Sequence, residues 1–232
     1  MWDNFPNEIL LEIIQYLSIT DLFHSLLNIN LRIKLLINKY TPVRIDFSSI
    51  IEKSEFDSLC QTTIASTNYP YLCDYLKLSN LRVPCQIQIF FTVFDLSLFA
   101  NLKSLTIIAI RFTELTTIMQ HKLPQLTNLT YLAIKTDEIM QCDQRKYFYR
   151  MIFIDLSCLS LRKLIVKFGN PPREANYSLA DCITCNSKVT NLKYVDIDSC
   201  YMTDLTRLFK DCIPSIKRLK MNLLGDGEYI HH

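Results

Sequence analysis

The sequence predicts an α/β chain, with a short all-helical N-terminal module followed by strand–helix repeats that lay their strands parallel. Three observations carry this expectation. Residues 1–40 hold three apolar runs at helical spacing. The phrase apolar-x-x-apolar-x-apolar then recurs roughly every 30 residues, a period at which one strand and one crossover fit. The stretches between phrases mix apolar and polar residues at spacings compatible with helices.

In chain order, Pro6 suits a first helical turn, where its missing N–H would be unpaired in any case, and Asn7 and Glu8 favour the positive helix end. Ile9, Leu10, Ile13, Ile14 and Leu17 recur at helical spacing until 18–20 break the pattern. Asp21 opens a second run through Leu22, Leu26 and Leu27, which Asn28 and Asn30 end, and Ile33, Leu35, Leu36, Ile37 and Tyr40 form a third. Strands are expected at Val43-x-Ile45, CDYLKL from 73, LKSLTI from 102, LTYLAI from 129, LRKLIV from 161, LKYVDI from 192 and IKRLKM from 216. Helical connectors are expected within 55–62, 87–99, 112–119, 139–154 and 205–212. Asn170-Pro171-Pro172 and the polar residues to Ser178 mark a loop. No linker divides the chain, so the expected division is 1–40 for the helical module and 41–232 for the repeats.

Forty residues bury little apolar surface alone, so such a module leans on a partner or on its own chain. Phe5-Pro6-x-Glu8-Ile9-Leu10-x-x-Ile13-x-x-Tyr16-Leu17-x-x-x-Asp21-Leu22 resembles the F-box, by which substrate receptors join Skp/cullin/F-box ubiquitin ligases. The resemblance spans residues 3–40. The family often has Leu where Phe5 stands and Trp where Ile33 falls, and both departures keep the site apolar. It implies that Phe5, Pro6, Ile9, Leu10, Ile13, Leu17, Leu22 and Ile33 pack on a Skp-type adaptor held by a cullin scaffold, some of them also holding the module together. Against it stands a three-helix cap that seals the repeats and binds nothing.

The repeats read as a leucine-rich-repeat solenoid and resemble those that follow the F-box in many substrate receptors. They are irregular. The Asn or Cys expected at the turn after each strand is met only by Cys200, whereas Leu81, Ile110, Asp137, Gly169 and Leu224 stand elsewhere. Without a side-chain ladder, the backbone groups of those turns need other partners. The structural rival is a flat doubly wound sheet, disfavoured by a total of three glycines. No capping helix is evident after the seventh strand, so the end is closed irregularly or the protein is longer.

Composition favours an intracellular scaffold, cytoplasmic or nuclear. The nine cysteines are scattered and odd in number, which implies no disulfide framework. No signal peptide is visible, so Asn128-Leu129-Thr130 and Asn176-Tyr177-Ser178 are chance glycosylation matches. Residues 87–102 are interrupted by Gln88, Thr92, Asp95 and Ser97, too soon for a membrane span. The best zinc candidate is Cys182-x-x-Cys185 with Cys200, Cys212 or His231, a weak signal. His24 and His121 sit in helix-like segments, no nucleophile or phosphate-loop motif occurs, and no cofactor or enzymatic activity is expected.

Alternation along the strands places Arg44, Lys77, Lys135, Lys163, Lys167, Arg218 and Lys220 on the concave side, opposed by Asp46, Asp196 and Asp198. Tyr75, Tyr131 and Tyr194 fall at equivalent positions there. The expected substrate contacts are therefore Tyr75, Lys77, Tyr131, Lys135, Lys163, Lys167, Tyr194 and Lys220, facing an acidic or phosphorylated protein segment. With a net charge of +2, the same lysines also suit a plain solvated face, and nucleic acid is not favoured. The expected function is substrate recognition for a Skp/cullin/F-box ligase. The alternative is a repeat scaffold that binds a protein partner without ubiquitin transfer.

Overall fold

The structure is a computed structural model that describes residues 5–17, 21, 31–40, 43–64, 69–138, 140–154, 160–169, 191–201 and 215–224. The chain groups into two compact units, Met1–Thr106 and Ile107–His232, so the expected division at 40/41 lies inside the first.

Pro6 precedes helix α1 (Asn7–Tyr16) and its carbonyl accepts from Leu10 N–H at 3.2 Å. Helix α2 (Leu31–Tyr40) packs against α1. Leu10 and Ile14 of α1 and Ile33, Leu36 and Ile37 of α2 are buried. Arg32 links the pair, donating to Asn7 Oδ1 through Nε at 3.0 Å and Nη2 at 2.6 Å, and to the Phe5 carbonyl at 2.8 Å. Asp21 is helical, but the second apolar run, Leu22 included, lies outside the described residues.

All seven expected strands are present. They are β1 (Val43–Asp46), β2 (Cys73–Ser79), β3 (Ser104–Ile108), β4 (Tyr131–Lys135), β5 (Lys163–Lys167), β6 (Tyr194–Tyr201) and β7 (Arg218–Leu224). They follow one another in the sheet in sequence order, with the boundary between the units falling inside β3. β1 pairs parallel with β2, and β4 through β7 pair parallel in succession. The order never reverses, so the sheet lacks the switch point of a doubly wound fold. Leu132, Leu164, Val195 and Leu219 stand opposite one another, as the repeated phrase requires. β1 is offset from the repeated phrase, since Ile45 rather than Val43 is the partner of Leu76, and its register also shifts by one residue after Val43, which stands opposite Cys73.

Helices fill the described connectors. α3 (Lys53–Ser58) continues into a π-helical stretch, Leu59–Ile64, and a single turn, α4 (Tyr69–Leu72), leads into β2. α5 (Gln86–Val93), α6 (Phe112–His121) and α7 (Cys142–Ile154) follow β2, β3 and β4. Connector 205–212 lies outside the described residues. Alternate strand residues Leu132, Ile134, Leu164, Val166, Val195 and Ile197 are buried. In the first unit the core is aromatic: Phe90 meets Phe47, Phe94 and Phe99 at centroid distances of 5.9, 4.8 and 5.6 Å, and Phe56 meets Phe47 edge-on at 5.1 Å.

In place of an asparagine ladder, the described turns after β1 to β5 are held by different clamps. Buried Gln86 accepts from Ser79 N–H at 2.9 Å and donates to the Phe47 carbonyl at 3.2 Å, joining the turns after β1 and β2. Asn80 Oδ1 caps α5 by accepting from Ile87 N–H at 3.0 Å. Glu138, in the turn after β4, accepts from Phe112 N–H at 2.8 Å and so caps α6. Buried Arg145 donates to the Met140 carbonyl at 3.2 Å and the Gly169 carbonyl at 3.1 Å, with its guanidinium 5.3 Å from the Phe168 ring centroid. Asp198 accepts from Phe168 N–H. Gly169 is obligatory by contact, since a Cβ there would stand 2.7 Å from the Asp137 carbonyl oxygen.

Two stability outcomes follow, read by urea denaturation. Leu132→Asp and Ile197→Asp bury a lone charge and cost several kcal/mol, about 3 or more, whereas Tyr131→Ala and Tyr194→Ala cost about 1 kcal/mol or less. Equal losses in both sets contradict the assignment of faces. Gln86→Leu strands the buried Ser79 N–H, while the Phe47 carbonyl keeps the bond it accepts from Ile50 N–H, and costs about 1–3 kcal/mol; a cost near zero shows that the clamp is dispensable.

Candidate functional site

Helix α1 presents two apolar stripes. Leu10 and Ile14 point inward, while Ile9 (42% exposed), half-buried Ile13 and Tyr16 (84%) share the opposite edge at i, i+4, i+7 spacing. On α2, Leu31 (73%) and Leu35 (59%) face outward at i, i+4. Of the residues expected at an adaptor, Phe5, Pro6 and Ile9 are exposed, and Ile13 and Leu17 are intermediate. Leu10 and Ile33 are buried. The outward residues missing from the expected set, Tyr16, Leu31 and Leu35, carried a signal in their helical spacing to Ile9 and to each other.

The polar sheet face divides between the two units. In the first, the Arg44 guanidinium stands 4.8 Å from the Tyr75 ring centroid, and Lys77 Nζ pairs with Asp46 Oδ2 at 3.0 Å. Asp46 Oδ1 also accepts from Ser48 N–H at 2.9 Å and its hydroxyl at 2.6 Å. Burial alone would raise the Asp46 pKa, but the Ser48 and Lys77 hydrogen bonds and the Lys77 charge outweigh it and hold the carboxyl below its ordinary value.

In the second unit, Tyr131, Lys163, Tyr194 and Arg218 align across β4 to β7. The Lys163 ammonium lies between two rings, 5.0 Å from the Tyr131 centroid and 4.8 Å from that of Tyr194. The next row on this face is Ala133, Ile165, Asp196 and Lys220. Lys167 Nζ is 2.5 Å from Asp196 Oδ1 and 3.6 Å from Asp198 Oδ1, and Lys220 Nζ is 4.0 Å from Asp196 Oδ2. Burial raises the Asp198 pKa despite the Phe168 N–H, Lys167 and Arg145. Lys135, exposed, lies opposite Lys167 at the end of β4. The structure thus gathers Tyr131, Lys163 and Tyr194 at one point and Lys167 and Lys220 at another, while Tyr75 and Lys77 belong to the other unit. Lys77 and Lys167 are engaged by carboxylates within the fold, a pairing that alternation along single strands does not reveal.

Burial pushes the Cys60 thiol up to about 12 and raises Cys73 further, so both favour the protonated form, a poor nucleophile. No metal-ligating cluster occurs among the described residues; Cys182, Cys185, Cys212 and His231 lie outside them. No described helix is long and apolar enough to cross a membrane. No family model, curated protein or solved structure matches the chain.

The Asp46 pair has a pH signature. A lowered folded pKa stabilises above the ordinary carboxylate value, and that contribution is lost as pH falls through the folded value. The Tm gap between the wild type and Asp46→Asn is therefore largest near neutral pH and closes below about pH 4. A gap constant from neutral to acid pH shows that the carboxylate charge contributes nothing.

Proposed function

We propose that this chain is a binding subunit that recruits a protein substrate to a Skp/cullin/F-box ubiquitin ligase, with 1–40 as an F-box module and the parallel repeats as a leucine-rich-repeat solenoid. The observation that carries the reading is the outward apolar surface of α1 and α2, where Ile9, Tyr16, Leu31 and Leu35 are exposed although their neighbours Leu10, Ile14, Ile33 and Leu36 already fill the interior. Large apolar residues left in water beside a filled core suit helix-in-groove docking. In this reading the chain binds and positions rather than supplying a reacting group. A substrate held beside the charged conjugating enzyme sees a raised effective concentration, so the acceleration comes from proximity. The protein works inside the cell, in cytoplasm or nucleus.

A second reading, a scaffold that binds a partner without ubiquitin transfer, is favoured by the burial of Leu10 and Ile33, which removes two residues from the docking set.

Co-purification of the tagged chain from cells separates the two. Under the first reading adaptor and cullin are recovered, and Ile9→Asp with Leu35→Asp abolishes their recovery without lowering Tm, since both positions are exposed. Recovery of partners without adaptor supports the scaffold. Adaptor retained at wild-type levels by the double variant places docking elsewhere on the chain.

A further inference from the structure

We propose that the polar face of β4–β7 binds an extended Asp/Glu-rich segment of a partner protein, anchored by Lys163 and Arg218 and flanked by Lys135 and Lys220. This rests on the reading of the chain as a binding subunit and names the chemistry of what the repeats hold.

The cations of this face are of two kinds. Lys167 is committed to Asp196 at 2.5 Å and lies 3.6 Å from Asp198. Lys163, Arg218 and Lys135 make no ion pair among the described residues, and Arg218 and Lys135 are exposed. Lys220 has a side chain 73% exposed and reaches only 4.0 Å from Asp196, whose other oxygen already holds Lys167. Among the described residues, five cations on the strands of this face thus meet two carboxylates, and the excess falls on the outward positions.

Lys163 is also held in place. Between the Tyr131 and Tyr194 rings its ammonium has less rotamer freedom to lose when a carboxylate arrives. Spacing then selects the ligand. Tyr194 stands between Lys163 and Arg218 in the row, so the two backbones lie two strand spacings, about 10 Å, apart. A single phosphate is best held by donors converging on one point, whereas these are spread. An extended segment repeats its same-face side chains about every 7 Å, and the long, exposed Arg218 side chain covers the remaining difference of about 3 Å, so successive carboxylates meet both anchors. Half-buried Ile165 beside Ala133 provides a small apolar floor below that row.

The test uses the purified full chain and a fluorescein-labelled peptide alternating glutamate and serine, with a glutamine–serine peptide for comparison. The acidic peptide binds, and binding weakens with added salt. Lys163→Glu with Arg218→Glu weakens it by about tenfold or more, because like charges then face the ligand. Lys53→Glu with Arg150→Glu makes the same change in net charge at exposed helix positions and leaves binding within about twofold. Should the first pair lower Tm, Lys163→Met with Arg218→Met replaces it and weakens binding by about threefold or more. Equal affinity for the two peptides, equal loss in face and helix variants, or tighter binding of oligothymidine in competition with the peptide overturns the proposal. Adaptor is absent from this assay, so such a failure leaves the adaptor reading to its own test.

Discussion

A parallel strand can return only through a turn and a crossover, and every such turn leaves amides and carbonyls that the sheet does not satisfy. That constraint shapes this chain more than its apolar repeat does. The repeated phrase supplies the row Leu132, Leu164, Val195 and Leu219, but a row of apolar residues says nothing about the polar groups at its ends. Gln86, Asn80, Glu138, Arg145 and Asp198 answer it one turn at a time. Two of them are buried outright, and the cost of burying a guanidinium is offset at Arg145 by two carbonyls, an aromatic face and the nearby charge of Asp198.

What could be read in the sequence is what period and alternation encode. The strands, the described connector helices and the inward set Leu132, Leu164, Val195 and Ile197 were legible because each is a local pattern. The clamps were not, since Gln86 and Arg145 sit at no repeating position and their partners are up to 39 residues away. The two-residue offset of β1, which sets Ile45 rather than Val43 against Leu76, is decided between strands and is not shown by spacing alone. At the N-terminus, apolar identity marked the helices but did not separate Leu10, which is buried, from Ile9, which is exposed. That distinction depends on which side of α1 its neighbour covers.

Charge shows the same limit. On paper the strand face is a basic set with three acids in opposition; in the structure the acids are placed with purpose. Asp46 occupies Lys77, and Asp196, itself buried, is shared by Lys167 and Lys220. Each unit carries charges paired within the fold, and in the second the described cations outnumber the carboxylates. Counting charge along strands cannot tell these apart, because pairing is decided between strands.

The individuality of the clamps bears on how such a chain can change over evolutionary time. Arrays of near-identical repeats lengthen and shorten by duplication and loss, because every copy presents the same edge to its neighbour. Here Gln86 reaches from one turn to the preceding one and Arg145 reaches forward to the next, while Gly169 admits the Asp137 carbonyl where any other residue would obstruct it. Excising or copying one repeat would set a clamp against a turn it does not fit. The number of repeats is thereby locked, and the chain is left to diverge by substitution on its outer surfaces.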